Sequence, residues 1–214
     1  MDLSHVTDRK ERKFERAQGS FVRRVRARIW PLTLTLLLAA TASHADTVRD
    51  EFTSISYTGN NGTANWFNSW QEFGESNGPT SGTVEVVTAS ESGFRCAAGN
   101  CLEIGGSEVS INNDGVSRIA NLTGATSATL TFSYRRRNLD GGGGSVSIQV
   151  RPDAASAWTN LQTYSLSTSD GGQVPQSFDI TAFASATTEI RFIGSGSDVD
   201  AYFYADNVQI QYLY

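Results

Sequence analysis

Hydrophobic and polar residues alternate with a period of two through most segments after residue 46, and this pattern predicts an all-β chain. The clearest case is Ala128-Thr-Leu-Thr-Phe-Ser-Tyr134, in which apolar residues occupy the even positions. Successive side chains of a strand point to opposite faces, so such a segment is half buried. About twelve short strands with turns between them predict a two-sheet antiparallel jelly-roll β-sandwich.

Two aromatic segments near the start of this region are also predicted to be extended. The first is Phe52–Tyr57, and the second is the run Trp66–Phe73. Trp66 and Trp70 are separated by an even number of positions, so on a strand they would lie on one face.

The last predicted strand, residues 201–214, contains a conspicuous acid. Strict alternation places Asp206 on the same face as Tyr204, Val208 and Ile210. A carboxylate facing an apolar interior must be protonated, paired or bound to a cation, and Ca²⁺ is a suitable partner because it prefers oxygen ligands. Two alternatives remain open: a bulge could turn Asp206 to solvent, or backbone N–H groups could satisfy it.

Residues 1–45 predict a secretory signal peptide, removed to leave a single β-sandwich domain at 46–214. A basic segment ending at Arg28 precedes an apolar run over 29–41, and Ser43-His44-Ala45 is a typical cleavage pattern. The apolar run is shorter than the roughly 20 residues that a membrane span needs. We therefore expect an exported protein, secreted, periplasmic or at the cell surface, with no membrane span in the mature chain.

Removal of this segment changes the composition decisively. The mature chain would keep eight arginines and eighteen acidic residues, a net charge of −10, and no lysine or histidine. This excludes a Ser-His-Asp triad, a histidine zinc site and a P-loop, and it disfavours nucleic acid as a partner. It favours hard cations and neutral sugars.

Two further local features carry predictions. In an exported protein, Cys96 and Cys101 are expected to form a local disulfide, with a catalytic or metal-binding dithiol as the alternative. The run Arg135-Arg136-Arg137 could mark an anionic ligand, although pairing with the surplus carboxylates is the favoured interpretation.

The order of several short motifs resembles MAM-like domains and the calcium-containing carbohydrate-binding modules of galactose-binding-like, jelly-roll type. The matching motifs are Asp50-Glu51-Phe52, Trp66 and Trp70, Val146-x-Ile148-x-Val150, Trp158-x-x-Leu161-x-x-Tyr164, Phe178-Asp179-Ile180, Ile190-Arg191-Phe192 and Tyr202-x-Tyr204-x-Asp206-Asn207-Val208-x-Ile210. The resemblance implies a structural Ca²⁺ that joins the first strand to the last. Asp206 would be a direct ligand, and Asp50 or Glu51 would be the second acid.

The leading functional hypothesis is a non-catalytic module that binds a polysaccharide or glycoconjugate. Sugar recognition uses aromatic faces with polar partners nearby, and Trp66, Trp70, Gln71 and Glu72 are the candidates. The two tryptophans could instead be core residues, as is expected for Trp158.

Two other functional classes are weighed against this one. The second hypothesis is a structural or adhesive module that contacts a surface protein. An enzyme is the third and is not expected. Jelly-roll glycosidases need two carboxylates across a cleft, and the obvious close pair, Glu103 and Glu108, is interrupted by Gly105-Gly106.

Overall fold

The computed structural model describes residues 44–89, 95–139, 141, 143–197 and 199–214, which form eleven strands and one turn of 3-10 helix. The strands are β1 Ala45–Asp50, β2 Gln71–Phe73, β3 Val84–Thr88, β4 Asn100–Val109, β5 Gly115–Ala120, β6 Ser127–Asn138, β7 Ser145–Arg151, β8 Thr159–Ser165, β9 Val174–Asp179, β10 Thr188–Ser195 and β11 Val199–Leu213, and the 3-10 helix is Thr181–Phe183. Residues 1–43 of the predicted signal peptide lie outside the described residues. His44 is described, and Ala45 is the first residue of β1.

The strands form two antiparallel sheets that pack face to face. The first sheet has the order β3-β4-β11-β6-β9, and β1 also pairs with β11; the second has the order β2-β5-β10-β7-β8. The predicted all-β jelly-roll sandwich is confirmed. No helix of the described residues is long and apolar enough to cross a membrane.

The core lies between the sheets and follows the alternation read from the sequence. In β6, Ala128, Leu130, Phe132 and Tyr134 are buried, and the residues between them are partly exposed. Aromatic contacts join the layers, as where Phe132 meets the ring edge of Phe192 across 5.3 Å between centroids. Such pairs add to the apolar burial that stabilises the sandwich.

Strand β11 is the centre of the first sheet, and it contains a bulge. It pairs with β4 along its first half, with β1 along its second half and with β6 on its other edge. The register with β6 shifts between Asp206 and Gln209, and Asn207 has a left-handed φ of 53°. Asparagine tolerates this conformation better than most residues. The bulge reverses the side-chain alternation, so Phe203 and Val208 both face the core.

The two predicted aromatic strands are largely irregular. Between β1 and β3, only Gln71–Phe73 forms a strand. Asparagine side chains hold this segment in a loop: Asn61 accepts a hydrogen bond from the Glu51 N–H, and Asn60 accepts one from the Trp66 N–H. Asparagine side chains commonly replace ladder hydrogen bonds in turns in this way, which explains why the strand prediction fails here.

Candidate functional site

The structure places Trp66 and Trp70 in the core, so their predicted role as exposed sugar-stacking faces is wrong. Trp66 is 4% exposed and Trp70 is 2% exposed. Trp70 packs against Phe52 and the edge of Phe192. Of the two interpretations considered for these residues, the core one holds.

Trp66 and Trp70 both contact a buried ion pair in the core. Arg118 of β5 and Asp50 of β1 are both fully buried, and Arg118 Nη1 lies 2.6 Å from Asp50 Oδ2. Trp70 Nε1 donates to the same oxygen across 3.1 Å. The guanidinium carbon lies 4.9 Å from the Trp66 ring centroid, a cation–π distance.

The sequence contains a signal for this ion pair that sequence reasoning missed. Val116, Arg118 and Ala120 share one face of β5, and the two apolar members mark that face as core-facing. Burial lowers the pKa of Arg118 to about 10, against the opposing effect of Asp50. Arg118 Nε and Nη2 also donate to the backbone carbonyls of Asn68 and Gly59.

Gln71 and Glu72 do not form a binding surface with the tryptophans. Glu72 accepts hydrogen bonds from the Tyr57 hydroxyl and the Gly78 N–H, each 3.0 Å long. Gln71 is exposed at the start of β2, and its amide donates to the Ser69 carbonyl. The predicted ligand-binding residues therefore lie in three different environments. Trp66 and Trp70 are in the core, Glu72 is hydrogen-bonded to a loop, and Gln71 is exposed.

Asp206 is buried, but it lies on the side of the first sheet opposite the core. Ala97 and Ala98 donate their N–H groups to Asp206 Oδ2 across 2.9 and 3.2 Å, and the Asn207 N–H donates to Oδ1 across 2.7 Å. Burial raises the pKa of Asp206, and these N–H groups oppose that rise. Of the two open alternatives, the second holds, because backbone N–H groups satisfy Asp206. The bulge follows Asp206 and does not turn it to solvent, since the residue is 1% exposed.

The residues predicted to bind calcium do not form a three-carboxylate site. Asp50 is taken up by Arg118, Trp70 and the Phe52 N–H. Glu51 pairs with Arg49 across 2.8 Å, although it shares the lining of a pocket of about 400 Å³ with Asp206. Within the described ranges, no group of three or more His, Cys, Asp or Glu residues could hold a metal ion. The calcium ion stays a prediction.

The predicted disulfide between Cys96 and Cys101 is formed, with an S–S distance of 2.09 Å. It fixes the segment 95–99 against the outer side of the first sheet, where both cysteines pack with Val87 and Tyr204 in a small second hydrophobic cluster. We call the side of the first sheet that faces away from the core its outer face.

Two concavities lie on this outer face, along successive outward-pointing residues of β6. The first, which we call the arginine pocket, has a volume of about 320 Å³. It is lined by Arg95, Arg135, Arg136, Arg137, Asn138, Ser169, Asp170 and Tyr204. The second, which we call the hydroxyl trough, has a volume of about 620 Å³. It is lined by Arg49, Thr131, Phe132, Ser133, Pro175, Gln176, Ser177, Asn207 and Gln209.

Tyr204 lines the arginine pocket and stacks on the neighbouring Tyr202. The ring centroids of Tyr202 and Tyr204 are 5.9 Å apart, and the two rings are nearly parallel. The guanidinium carbon of Arg95 lies at a similar distance from the centroid of each ring. Glu103 is paired with Tyr204 across the β4–β11 ladder, and its Oε2 lies 3.3 Å from Arg95 Nη1. Burial raises the pKa of Glu103 to about 7, against the attraction of Arg95.

Trp158 lies on the outer face of the second sheet, so the prediction that it belongs to the core is wrong. It is half-buried, and the guanidinium carbons of Arg151 and Arg191 each lie 4.2 Å from its ring centroid. Arg151 also pairs with Glu189, and Arg191 donates to Gln149. The second sheet therefore uses its outward arginines for contacts within the protein.

No protein-family model matches the chain, and no curated protein matches its sequence. Among solved structures, TmCBM61 in complex with beta-1,4-galactotriose is 15% identical, with 70% of this chain and 90% of that chain covered and a TM-score of 0.47. A variant of the family 29 carbohydrate-binding module CBM29-2 is 13% identical, covering 79% of this chain and 85% of that chain with a TM-score of 0.46. The K3 cleaved adhesin domain of Lys-gingipain from Porphyromonas gingivalis w83 is 12% identical, covering 61% and 92% with a TM-score of 0.40.

Proposed function

We propose that this protein is an exported, non-catalytic module that binds a glycan on the outer face of its first sheet. The observation that carries the proposal is the pair of concavities lined by consecutive outward residues of β6, Thr131 and Ser133 in one and Arg135 and Arg137 in the other. Glycan binding was the leading hypothesis from the sequence, but the residues that support it here are different ones.

The chemistry of these linings suits a sugar. A sugar presents many hydroxyl groups that both donate and accept hydrogen bonds. Serine and threonine hydroxyls and glutamine and asparagine amides also do both, and guanidinium groups supply further donors. The hydroxyl trough combines these groups with the apolar surface of the exposed Pro175, which a pyranose ring can cover.

The positions of the carboxylates support a non-catalytic role. A glycosidase needs two carboxyl groups roughly 5–9.5 Å apart across its substrate. Among the described lining residues of the two concavities, Asp170 is the only acid, and Arg136 binds it through two nitrogens. Glu103 and Glu108 do not form the alternative pair, because Glu103 is buried beside Arg95 and Glu108 is exposed.

The disulfide supports export, because such bonds persist mainly in oxidising compartments. The proposal does not depend on calcium.

A glycan array followed by calorimetric titration of the best ligand tests this proposal. The double substitution Thr131→Ala and Gln209→Ala removes two polar groups that face each other across β6 and β11 in the hydroxyl trough. We expect it to lower the affinity about tenfold, since each lost hydrogen bond costs about 0.5–1.5 kcal/mol. The matched control is Ser147→Ala together with Thr163→Ala, a hydroxyl pair on the second sheet.

The control variant should bind as the unsubstituted protein does. Equal losses in both variants, or binding that neither variant changes, would contradict the assignment to the outer face of the first sheet. An array with no bound glycan, together with capture of a surface protein, would favour the adhesive alternative.

A further inference from the structure

A third concavity lies beside the hydroxyl trough, at the bulge of β11. We call it the bulge pocket, and its volume is about 400 Å³. Two pieces of the chain line it, residues 51–53 and residues 98–100, together with Asp206 and Asn207. Asn207 also lines the hydroxyl trough, so the two concavities adjoin at this residue.

A network of three residues holds the boundary between these two concavities. Arg49 belongs to the lining of the hydroxyl trough, and its Nη2 donates to Asn207 Oδ1 across 3.1 Å. The same nitrogen lies 2.8 Å from Oε1 of Glu51, which belongs to the lining of the bulge pocket. Charge-assisted hydrogen bonds of this kind fix side chains more firmly than neutral ones. A ligand that fills the trough past Asn207 therefore enters the bulge pocket across a fixed boundary.

Residues 98–100 form one wall of the bulge pocket, at the point where the chain enters β4. Gly99 has a left-handed φ of 58°, which glycine adopts without steric cost. Asn100 Nδ2 donates to the backbone carbonyl of Phe52 across 2.9 Å. The two pieces of chain that line the pocket are therefore connected directly.

The disulfide between Cys96 and Cys101 acts mainly on this wall. Its two cysteines have a sequence separation of 5, and a bridge across so short a loop restricts the unfolded chain less than one across a long loop. Within the closed loop, two backbone N–H groups donate to Asp206 of β11. The covalent bond and these hydrogen bonds together fix residues 98–100 against the sheet.

Several polar groups of the bulge pocket have no partner within the described part of the chain. The Thr53 hydroxyl is exposed and forms no hydrogen bond there, and neither do the side-chain oxygen of Asn100 and the side-chain nitrogen of Asn207. A hydroxyl group both donates and accepts, an amide oxygen accepts and an amide nitrogen donates. Sugar hydroxyls can pair with all three groups.

We infer that the bulge pocket is a further subsite for a neutral sugar unit of the glycan in the hydroxyl trough, and that the Cys96–Cys101 disulfide positions its wall. This inference rests on the proposed function, which places a glycan in the trough. The pocket volume lies within the range for small-molecule sites. Two acids, Glu51 and Asp206, line the pocket against one arginine, Arg49, at its boundary, which disfavours an anionic sugar unit.

A length series of neutral oligosaccharides tests the inference on the full protein. Disaccharides and hexasaccharides of xylose, glucose and galactose are titrated calorimetrically, in EDTA so that a metal ion at Asp206 cannot contribute. Thr53→Ala removes an exposed hydroxyl from the lining of the pocket. Ser54→Ala removes the neighbouring exposed hydroxyl, which does not line the pocket, and is the matched control. Thermal unfolding of each variant verifies folding.

We expect Thr53→Ala to weaken hexasaccharide binding about fivefold, since one hydrogen bond is lost, and to leave disaccharide binding in the trough unchanged. Ser54→Ala should change neither.

The double substitution Cys96→Ala and Cys101→Ala tests the positioning role of the disulfide. It removes the covalent constraint but not the hydrogen bonds to Asp206. If the disulfide positions the wall of the subsite, hexasaccharide binding should weaken and disaccharide binding should not. A purely structural role would lower the melting temperature without this dependence on ligand length.

Other outcomes would overturn the inference. If Thr131→Ala with Gln209→Ala weakens hexasaccharide binding and Thr53→Ala does not, the subsite is wrong and the proposed function stands. If no oligosaccharide binds, both fail. Equal loss of disaccharide and hexasaccharide binding in the disulfide variant would contradict the positioning role. Tighter binding of the galacturonate hexasaccharide than of the galactose hexasaccharide would contradict a neutral sugar unit.

Discussion

Asp50 and Asp206 are both buried carboxylates of the first sheet, but different groups stabilise them. Asp50 has a buried guanidinium and an indole N–H. Asp206 has three backbone N–H groups and no cation at hydrogen-bond distance among the described residues. Both arrangements satisfy the acid without a metal ion, because charge and hydrogen bonding can each offset the cost of burial. A buried acid in a sandwich therefore does not by itself predict a cation site.

The two acids also connect different parts of the protein. The Asp50–Arg118 pair joins β1 of the first sheet to β5 of the second through the core. Asp206 joins β11 to the disulfide-bonded segment 95–99 on the outer face. Loss of the first contact should affect the whole domain, and loss of the second should be more local.

The largest expected effect is that of Arg118→Met, which leaves Asp50 buried without its cation. Removal of one partner of a buried ion pair typically costs about 3–5 kcal/mol, so the free energy of unfolding should fall by that amount. Urea unfolding at neutral pH measures it. Arg191→Met, which removes a half-buried guanidinium that donates to a neutral amide, is the control and should cost less.

The double variant Arg118→Met with Asp50→Asn distinguishes loss of charge balance from loss of packing. If the unpaired carboxylate causes the loss, the double variant should be more stable than Arg118→Met alone. Equal losses would show that the packing of Arg118 between Trp66 and Trp70 is the larger contribution, which would weaken the contrast with Asp206.

The second prediction concerns Asp206→Asn, which replaces one accepting oxygen by a donating NH₂ group. At least one of the three N–H groups would then face a donor, and a buried donor left without an acceptor costs about 2–3 kcal/mol when its partner was charged. Asp179→Asn is the control, because Asp179 is exposed and accepts a single backbone N–H, from Thr181. Hydrogen exchange should increase most at Ala97 and Ala98. Uniform loss of protection across the domain would contradict a local role for Asp206.

The sequence was sufficient for the fold because the alternation is a direct consequence of strand geometry. It placed the core residues of β6 correctly. It failed in β11 because one residue in a left-handed conformation, Asn207, reverses the alternation for half of the strand. A single asparagine in an otherwise regular alternation does not predict a bulge.

The candidate site was less predictable, since it depends on contacts between distant strands. Trp66 and Trp70 lie among polar residues in the chain. In the core, however, both contact the guanidinium of Arg118, which is about fifty positions away in the sequence. For the arginine run 135–137, pairing with carboxylates was the favoured interpretation and an anionic ligand the alternative. Arg95, the fourth arginine of the pocket, is brought to this run only by the packing of the disulfide-bonded segment on the sheet.

Glu103 is a third buried carboxylate, and it is less well stabilised than Asp50 or Asp206. Its ion pair with Arg95 is longer than that of Asp50 with Arg118, and burial raises its pKa to about 7. A folded-state pKa above the unfolded value means that the folded protein binds more protons between about pH 4.5 and 7, so this group makes stability fall as the pH rises through that window. Glu103→Gln should remove this fall and raise the free energy of unfolding at pH 8 by about 1–2 kcal/mol. Urea unfolding at several pH values measures it. A variant whose pH dependence is unchanged would contradict the assignment.

The smallest expected effect is that of calcium removal. Since Asp50 and Asp206 have partners within the protein and Glu51 is paired with Arg49, we expect EDTA to change the melting temperature by less than about 1 °C. Thermal unfolding in EDTA, in excess Ca²⁺ and in excess Mg²⁺ measures this. A decrease of several degrees that Ca²⁺ alone restores would support the calcium site predicted from the sequence. Asp206→Asn then locates the ion: a calcium response that survives the substitution belongs elsewhere, and one that disappears shows that a cation competes with the N–H groups for the same two oxygens.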